Sequence, residues 1–188
     1  MSVGTSARPS RTELTETRIL DATGVVLARH GPRSLQFTDI ARQANVSRPT
    51  LYKYFPSKDV LLAAYGEHEK RRFVDGMASA LDGLTEDLRL DGALRYMVEF
   101  QCEHPMRGLI AIAPGFVLRQ LERNLETMRG PLTRLLEKSF DAEDSPASAR
   151  EIADLIVRAG MSYLLLPGDD EAFLRQLRHI ANRRDLSR

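Results

Sequence analysis

The sequence contains little of what several common protein classes require. One cysteine in 188 residues excludes a disulfide framework and a structural zinc site built from several cysteines. A formal net charge of only +1 excludes a uniformly basic protein that coats nucleic acid. The most apolar stretch, residues 109–118, is interrupted by Pro114 and Gly115. It is far shorter than the about 20 apolar residues that a membrane-spanning helix needs.

Other signals are also missing. The first residues lack the apolar segment of a signal peptide, so we expect a soluble, cytoplasmic protein. No run of alternating β-branched residues and no hairpin turn between apolar strands is present. Hydrophobic residues make up 43% of the chain and charged residues 28%, which is an ordinary globular balance. These features predict an all-α globular protein.

Charge is distributed unevenly along the chain. Residues 1–72 contain 12 Lys and Arg and 7 Asp and Glu, a net charge of +5. Residues 73–188 contain 15 Lys and Arg and 19 Asp and Glu, a net charge of −4. A basic N-terminal third indicates contact with a polyanion there, although such a division also arises by chance.

Apolar spacing and helix-ending residues predict where the helices lie. Ser10 and Glu13 form a capping box for the first helix, and Gly31-Pro32 ends it. A kink is expected at Gly130-Pro131. The predicted spans are 11–30, 37–44, 48–55, 57–81, 87–103, 106–112, 115–140, 146–166 and 169–182.

Residues 37–55 carry the clearest functional pattern. Ala41 is small enough to let a second helix approach, and Asn45 tolerates a left-handed turn. Ser47 is a natural N-cap, and Pro49 is tolerated in the first turn of the helix that follows. The spacing predicts a helix-turn-helix whose second helix enters the major groove of DNA. The alternative is an ordinary helical hairpin with packed aromatic side chains.

Side-chain chemistry predicts which residues of this segment contact DNA. Arg48 can bond to guanine through two hydrogen bonds, and Thr50 can contact a base edge or a thymine methyl group. Four further side chains suit contacts with phosphate groups: Tyr52, Lys53, Tyr54 and Lys58.

The same segment resembles the DNA-binding domain of TetR-family transcriptional regulators. The resemblance covers roughly residues 11–62. It is carried by Asp39-Ile40-Ala41, Ala44-Asn45-Val46-Ser47, Thr50-Leu51-Tyr52, Tyr54-Phe55 and Ser57-Lys58-Asp59 with Leu61. It implies a three-helix DNA-binding domain and a larger helical domain for ligand binding and dimerisation. The implied divisions are a flexible tail (1–10), the helix-turn-helix domain (11–56) and the C-terminal domain (57–188).

The resemblance also implies the DNA-contacting positions. Arg48, Pro49 and Thr50 fall on base-contacting positions. The phosphate-contacting positions are occupied by Tyr52, Tyr54 and Lys58. The sequence departs from the family pattern at Gln36, where Ser or Thr usually opens the second helix and Ser34 is an alternative cap. It also departs at Asn45 and Pro49, where Gly is usual or frequent. The full predicted set is Gln36, Thr38, Ser47, Arg48, Pro49, Thr50, Tyr52, Lys53, Tyr54 and Lys58.

The acidic remainder contains a candidate ligand pocket. Methionine and aromatic side chains with a few polar groups are typical of adaptable, mostly apolar pockets. They are equally compatible with a plain core. The candidates are Met97, Phe100, His104, Phe116, Gln120 and Asn124, with Met106 and Met128 from the same stretch.

The last two predicted helices are a candidate dimer interface. Ala159-Gly160 permits close approach of two backbones, and the alternative is a core within one chain. The candidates are Leu155, Ala159, Gly160, Tyr163, Leu164, Phe173, Leu177 and Ile180. A dimer would place two recognition helices on one face of a near-palindromic operator.

We therefore expect a homodimeric repressor that a small hydrophobic effector releases from its operator. The alternative is a DNA-binding regulator without a small-molecule ligand, controlled by a protein partner or by its abundance. We expect no enzymatic activity, cofactor or metal, because the chain lacks Glu-x-x-His pairs, His-Glu-x-x-His and the glycine-rich phosphate-binding motifs.

Overall fold

The computed structural model describes residues 10–139 and 146–182. These residues form helices joined by short connections, with no strand among them, and this confirms the predicted all-α fold. In chain order the helices are α1 (Arg11–His30), α2 (Phe37–Gln43), α3 (Arg48–Tyr54), α4 (Lys58–Ala80), α5 (Glu86–Glu103), α6 (Met106–Leu109), α7 (Pro114–Ser139), α8 (Pro146–Leu165) and α9 (Asp170–Ala181).

The ends of α1 follow from its sequence. Ser10 Oγ accepts a hydrogen bond from the backbone N–H of Glu13 at 3.2 Å, and the Glu13 carboxylate accepts one from Ser10 N at 2.6 Å. Gly31 ends the helix with a φ of 71°, and its N–H donates to Leu27 O. The predicted capping box and the predicted glycine stop are therefore confirmed.

The largest difference from the predicted helix limits is at α6. This helix ends at Leu109 rather than near residue 112, and the N–H groups of Ile112 and Ala113 both bond to Leu109 O in the turn that follows. Pro114 begins α7, and a proline disfavours the helical conformation of the residue before it. By contrast, α7 continues through Pro131.

The chain separates into two compact units between His68 and Glu69. The sequence places the division twelve residues earlier, after residue 56. The reason for the difference is that the first turns of α4 pack against α1. The ring of Tyr65 lies over Gly24, and His68 Nε2 lies 2.8 Å from Asp21 Oδ1. The predicted N-terminal tail lies outside the described residues, apart from Ser10.

The first unit contains α1, α2, α3 and the start of α4. Helix α1 packs against α2, and α2 packs against α3. The hydroxyl of Thr23, a buried polar side chain of this interior, donates to Ile19 O at 2.8 Å. Large apolar side chains from all four helices are buried: Ile19, Leu20, Leu27, Ile40, Leu51 and Leu61.

The second unit contains the rest of the described chain. Helix α7 packs along α8, and α5 packs against α7, α8 and α9. Its core includes Phe73, Met97, Leu132, Leu136, Ile156 and Leu177. No helix in the described part of the chain is long and apolar enough to span a membrane.

Candidate functional site

The turn between α2 and α3 has the predicted left-handed residue. Asn45 has a φ of 52°, and its N–H donates to Arg42 O at 3.2 Å. Val46 N donates to Ala41 O at 2.9 Å, which closes the turn. Arg18 of α1 donates from Nη2 to Asn45 O at 3.3 Å. These bonds fix the direction in which α3 leaves the turn.

The start of α3 is held by the predicted cap. Ser47 Oγ accepts a hydrogen bond from Thr50 N at 3.2 Å, and the two hydroxyl oxygens lie 2.7 Å apart. Pro49 lies in the first turn, where its missing N–H leaves no helical bond unmade. The hydroxyl of Thr50 is therefore engaged locally, and its methyl group is the part left for a partner.

Helix α3 exposes one face and buries the other. Leu51 is buried within the helix and Phe55 directly after it, whereas Thr50 and Tyr54 are half-buried. With seven residues, α3 is about 10 Å long. It contains no acidic residue, so its exposed face has a positive charge from two cations. The exposed side chains are Arg48, Pro49, Tyr52 and Lys53.

Aromatic contacts position the two tyrosines of this surface. The ring of Tyr52 lies 4.9 Å from that of Phe37, the first residue of α2. The ring of Tyr54 lies 6.4 Å from that of the buried Phe55. Each ring is thus packed on one side, as expected for the alternative of a helical hairpin with packed aromatic side chains. Tyr52 nevertheless stays exposed.

The remaining predicted DNA contacts surround α3. Lys58 begins α4, and its Nζ donates to Arg33 O at 3.0 Å, so its ammonium group also secures the connection between α1 and α2. Gln36 and Thr38 are exposed at the start of α2. Gln36 is the N-cap residue, but its side chain makes no capping bond.

The second unit contains a cavity between α4, α5, α7 and α8. The space open to a water-sized sphere is about 40 Å³, within about 480 Å³ of space between atoms that includes open solvent. Four predicted ligand residues line it: Phe100, His104, Asn124 and Met128. Leu164, predicted for the dimer interface, lines it too. The sequence prediction does not include Glu69, Lys70, Phe73, Gln101, Leu121 and Thr127, which complete the lining. The side chain of Met106, another candidate, lies outside the described part of the structure.

The other predicted ligand residues are outside this lining. Met97 is in the core of the second unit with almost no exposed surface. Gln120 is buried on α7, and Phe116 is half-buried one turn earlier. Their assignment as ligand contacts stays a prediction.

A buried ion pair forms part of the cavity wall. His104 Nε2 lies 2.8 Å from Glu69 Oε2, and Arg72 Nη1 lies 3.0 Å from Glu69 Oε1. Burial opposes ionisation of Glu69, but the hydrogen bond and charge of His104, together with Arg72, hold the pKa of its carboxyl below the usual value. The cavity therefore includes a carboxylate that is already paired with two basic side chains.

Two amide oxygens at the cavity have no partner. Gln101 is only 4% exposed, and its Oε1 accepts no hydrogen bond within the described chain. Asn124 Oδ1 is likewise buried and accepts no hydrogen bond within the described chain. Buried polar atoms are normally hydrogen-bonded, so two such acceptors beside one cavity need an explanation.

The predicted dimer residues divide into two groups. Gly160, Tyr163, Leu164, Phe173 and Leu177 are buried in the single chain. The rings of Tyr163 and Phe173 stack at 4.1 Å, and the Tyr163 hydroxyl donates to Gly168 O at 2.7 Å. Surface remains available in the second group: Leu155 is 52% exposed, and Ala159 and Ile180 are half-buried.

The described residues contain no group of three or more His, Cys, Asp or Glu side chains arranged to hold a metal ion. The lone Cys102 is half-buried, and burial raises the pKa of its thiol to about 11, with Asp170 adding to the effect.

The geometry of α2, the turn and α3 defines a helix-turn-helix protein, and comparison with known proteins identifies its family. Residues 19–65 match the family described as bacterial regulatory proteins, tetR family. An uncharacterized HTH-type transcriptional regulator of Mycobacterium tuberculosis is 31% identical over 167 residues, which cover 86% of this chain and 80% of that one. The chain therefore belongs to the TetR family, and it is a DNA-binding regulator of transcription.

Two further comparisons agree with this assignment. The transcriptional repressor KstR of M. tuberculosis is 36% identical over 144 residues, covering 73% of this chain and 66% of KstR. The crystal structure of a TetR-like regulator from Rhodococcus sp. RHA1 superimposes with a TM-score of 0.67 at 26% identity, over 96% of this chain and all of that one. Both units of the fold are thus found in solved regulators of this kind.

Proposed function

We propose that this regulator is a homodimeric repressor that leaves a near-palindromic operator when a small, mostly apolar molecule binds in the cavity of its second unit. The exposed, cationic face of α3, held by the Ser47 cap, is the observation that supports the DNA contacts most directly. The similarity to KstR, a repressor by name, supports the direction of regulation.

In this proposal the exposed end of α3 reads bases. Arg48 is exposed in the first turn, and its guanidinium matches the two acceptors of guanine. Pro49 and the methyl group of Thr50 contact neighbouring base edges. The cap residue Ser47 orients this turn and contacts the backbone.

Phosphate contacts then fix the position of the unit on the duplex. Tyr52 and Lys53 contact phosphates beside the major groove from α3. Tyr54 and Lys58 make further phosphate contacts. Gln36 and Thr38 provide polar contacts from α2. Each of these contacts contributes affinity but no direct sequence information.

Dimerisation would rest on the outer side of α8. Leu155 and Leu166 are large apolar side chains that are 52% and 78% exposed, and Ala159 lies between them at helical spacing. Ile180 adds a half-buried apolar side chain from α9. A two-fold pair of such faces is self-complementary and would set the spacing of the two recognition helices.

Helix α4 contributes residues to both units. Glu69 lines the cavity, and the preceding residue, His68, is hydrogen-bonded to Asp21 of α1. In this proposal a ligand that changes the Glu69–His104 contact is coupled to DNA binding through this helix. A coupling of about 1–3 kcal/mol between the two sites is typical of such systems.

The direct test is selection of random duplex DNA by the purified protein and by its Arg48→Ala variant. We expect the wild type to enrich a near-palindrome and the folded variant to lose that enrichment. The same sequences enriched by both proteins would contradict the assignment of Arg48. Absence of enrichment by the folded wild type at low salt would contradict operator binding by the ligand-free state.

A further inference from the structure

The geometry of the cavity indicates a chemical class for the effector, an inference that rests on the proposed ligand-controlled repression. We infer that the effector is a mostly apolar molecule with an uncharged hydrogen-bond donor, a hydroxyl or N–H group, which it donates to Gln101 Oε1 or Asn124 Oδ1. The inference is carried by these two buried amide oxygens, which have no other partner in the described chain and lie at one cavity.

The orientation of the Gln101 amide supports this assignment. A β-carbon built on Gly160 of α8 would lie 2.5 Å from Gln101 Nε2 but 3.5 Å from Oε1. The nitrogen therefore lies closer to Gly160 than the oxygen does. A buried acceptor without a hydrogen bond costs free energy. A ligand donor that bonds to it therefore gains more binding free energy than a donor that bonds to a surface acceptor already solvated by water.

Much of the rest of the cavity wall is apolar, although Lys70 and Thr127 also line it. Phe73 and Phe100 pack edge to face with ring centres 5.2 Å apart, and the ring of His104 lies 5.2 Å from that of Phe100. Such walls favour a flat hydrocarbon skeleton. Leu121, Met128 and Leu164 extend the same apolar surface.

A ligand carboxylate fits this wall poorly. The Glu69 carboxylate already has a hydrogen bond or ion pair with His104 and with Arg72. A second carboxylate beside it would share these cations and repel Glu69. Lys70 also lines the cavity, so preferential binding of a carboxylate would identify Lys70, rather than the amides, as the polar determinant.

The test uses three probes with one skeleton: naphthalene, β-naphthol and β-naphthoate. Their dissociation constants are measured by calorimetry at pH 7 with the full chain. We expect naphthol to bind the wild type about tenfold tighter than naphthalene, as one hydrogen bond to a buried acceptor implies, and tighter than naphthoate. Tightest binding of naphthoate, equal binding of naphthol and naphthalene, or no binding of either would overturn the inference.

Two variants separate the amide acceptors from general packing. The double variant Gln101→Leu, Asn124→Leu should lose the preference for naphthol while its affinity for naphthalene changes less than about twofold. Removing unpaired buried acceptors should also leave the thermal stability of the ligand-free protein unchanged or higher. The control is Gln43→Leu, which replaces an exposed glutamine at the end of α2 in the first unit and should keep the preference. A preference that persists in the double variant would overturn the inference.

Operator binding in the same samples separates this inference from the proposed function. If naphthol binds with the expected preference but the operator complex is unchanged, the ligand class stands and release by ligand fails. If the ligand-free protein binds no operator, repression fails whatever the calorimetry shows.

Discussion

The side-chain amide of Gln101 occupies the space that a side chain at residue 160 would need. Its Nε2 lies 2.5 Å from the ideal position of a β-carbon on Gly160, closer than real β-carbons approach other atoms. Gly160 is thus buried against α5 of its own chain. The Ala159-Gly160 pair predicts from sequence that another segment packs closely here. In the structure that segment is α5 of the same chain.

A Gly160→Ala substitution should therefore act on the cavity rather than on dimerisation. The added methyl group displaces the flexible end of Gln101 at low cost, and alanine favours the helix by about 1 kcal/mol. The free energy of unfolding should change by less than about 1 kcal/mol. The preference for naphthol over naphthalene should fall, and sedimentation should still show a dimer.

The matched control for this change is Gly115→Ala near the start of α7. There a β-carbon meets only the end of Arg119, at an ordinary 3.5 Å. It should leave the naphthol preference intact. Dissociation of the dimer by Gly160→Ala alone would instead place residue 160 at the interface, as the sequence spacing predicts.

Dimerisation should depend on the exposed apolar face of α8. Leu155→Arg places a charge where two such faces would meet, so we expect a monomer and loss of high-affinity operator binding. Light scattering after size-exclusion chromatography measures the mass. Leu118→Arg on α7 is the matched control, because Leu118 is also 52% exposed and lies outside the proposed interface. A dimeric Leu155→Arg protein would contradict the proposed interface.

The structure shows why the two candidate sites are predicted unequally well from sequence. The DNA-binding signals are contiguous: the left-handed Asn45, the Ser47 cap and the buried Leu51 lie within seven residues. Local backbone rules are sufficient there. The predicted turn and cap are confirmed, whereas the DNA contacts themselves stay a proposal.

The cavity cannot be read in the same way, because four separate helices contribute to it. Glu69 and Phe73 lie on α4, a helix whose start belongs to the first unit. Nothing in their local sequence distinguishes them from an exposed charge and a core aromatic residue. Gln101 becomes notable only when packing buries it without a partner.

The Glu69–His104 pair predicts a specific pH dependence of stability. The pKa of the Glu69 carboxyl is lower in the folded protein than the ordinary value of a glutamate. The ionised carboxylate therefore contributes fully to the free energy of unfolding when the pH is above the pKa of the unfolded state. This contribution is lost as the pH falls through the lower pKa of the folded state. Glu69→Gln should destabilise the protein by about 3 kcal/mol at pH 7, and this gap should narrow below pH about 4.5.

Urea unfolding of both proteins from pH 7 to pH 3 measures this gap. The control is Glu122→Gln, which changes an exposed carboxylate on α7 and should alter the free energy of unfolding by less than about 0.5 kcal/mol. A gap that stays constant with pH would show that Glu69 stabilises the fold by packing rather than by charge.

The turn before α3 should tolerate glycine but not a branched residue. At a φ of 52°, Asn45→Val puts a β-branched side chain into a left-handed conformation that costs most L-residues about 1–2 kcal/mol and that Asn tolerates better, whereas Asn45→Gly has no such cost. Thermal unfolding should rank Gly with or above Asn and place Val lowest. A Val variant as stable as the wild type would mean that the turn adopts another conformation.

Lys53 and Arg48 should affect DNA binding in different ways, although both are exposed cations on α3. Lys53→Ala removes a proposed phosphate contact, so affinity should fall equally for all sequences, and the slope of log K against log salt should decrease by about one. Arg48→Ala should cost about 1–3 kcal/mol only on the selected operator and should relax one base position. Fluorescence anisotropy at several salt concentrations, with the operator and a scrambled duplex, distinguishes the two effects. If Lys53→Ala relaxed base preference while Arg48→Ala weakened all sequences equally, the two assigned roles would have to be exchanged.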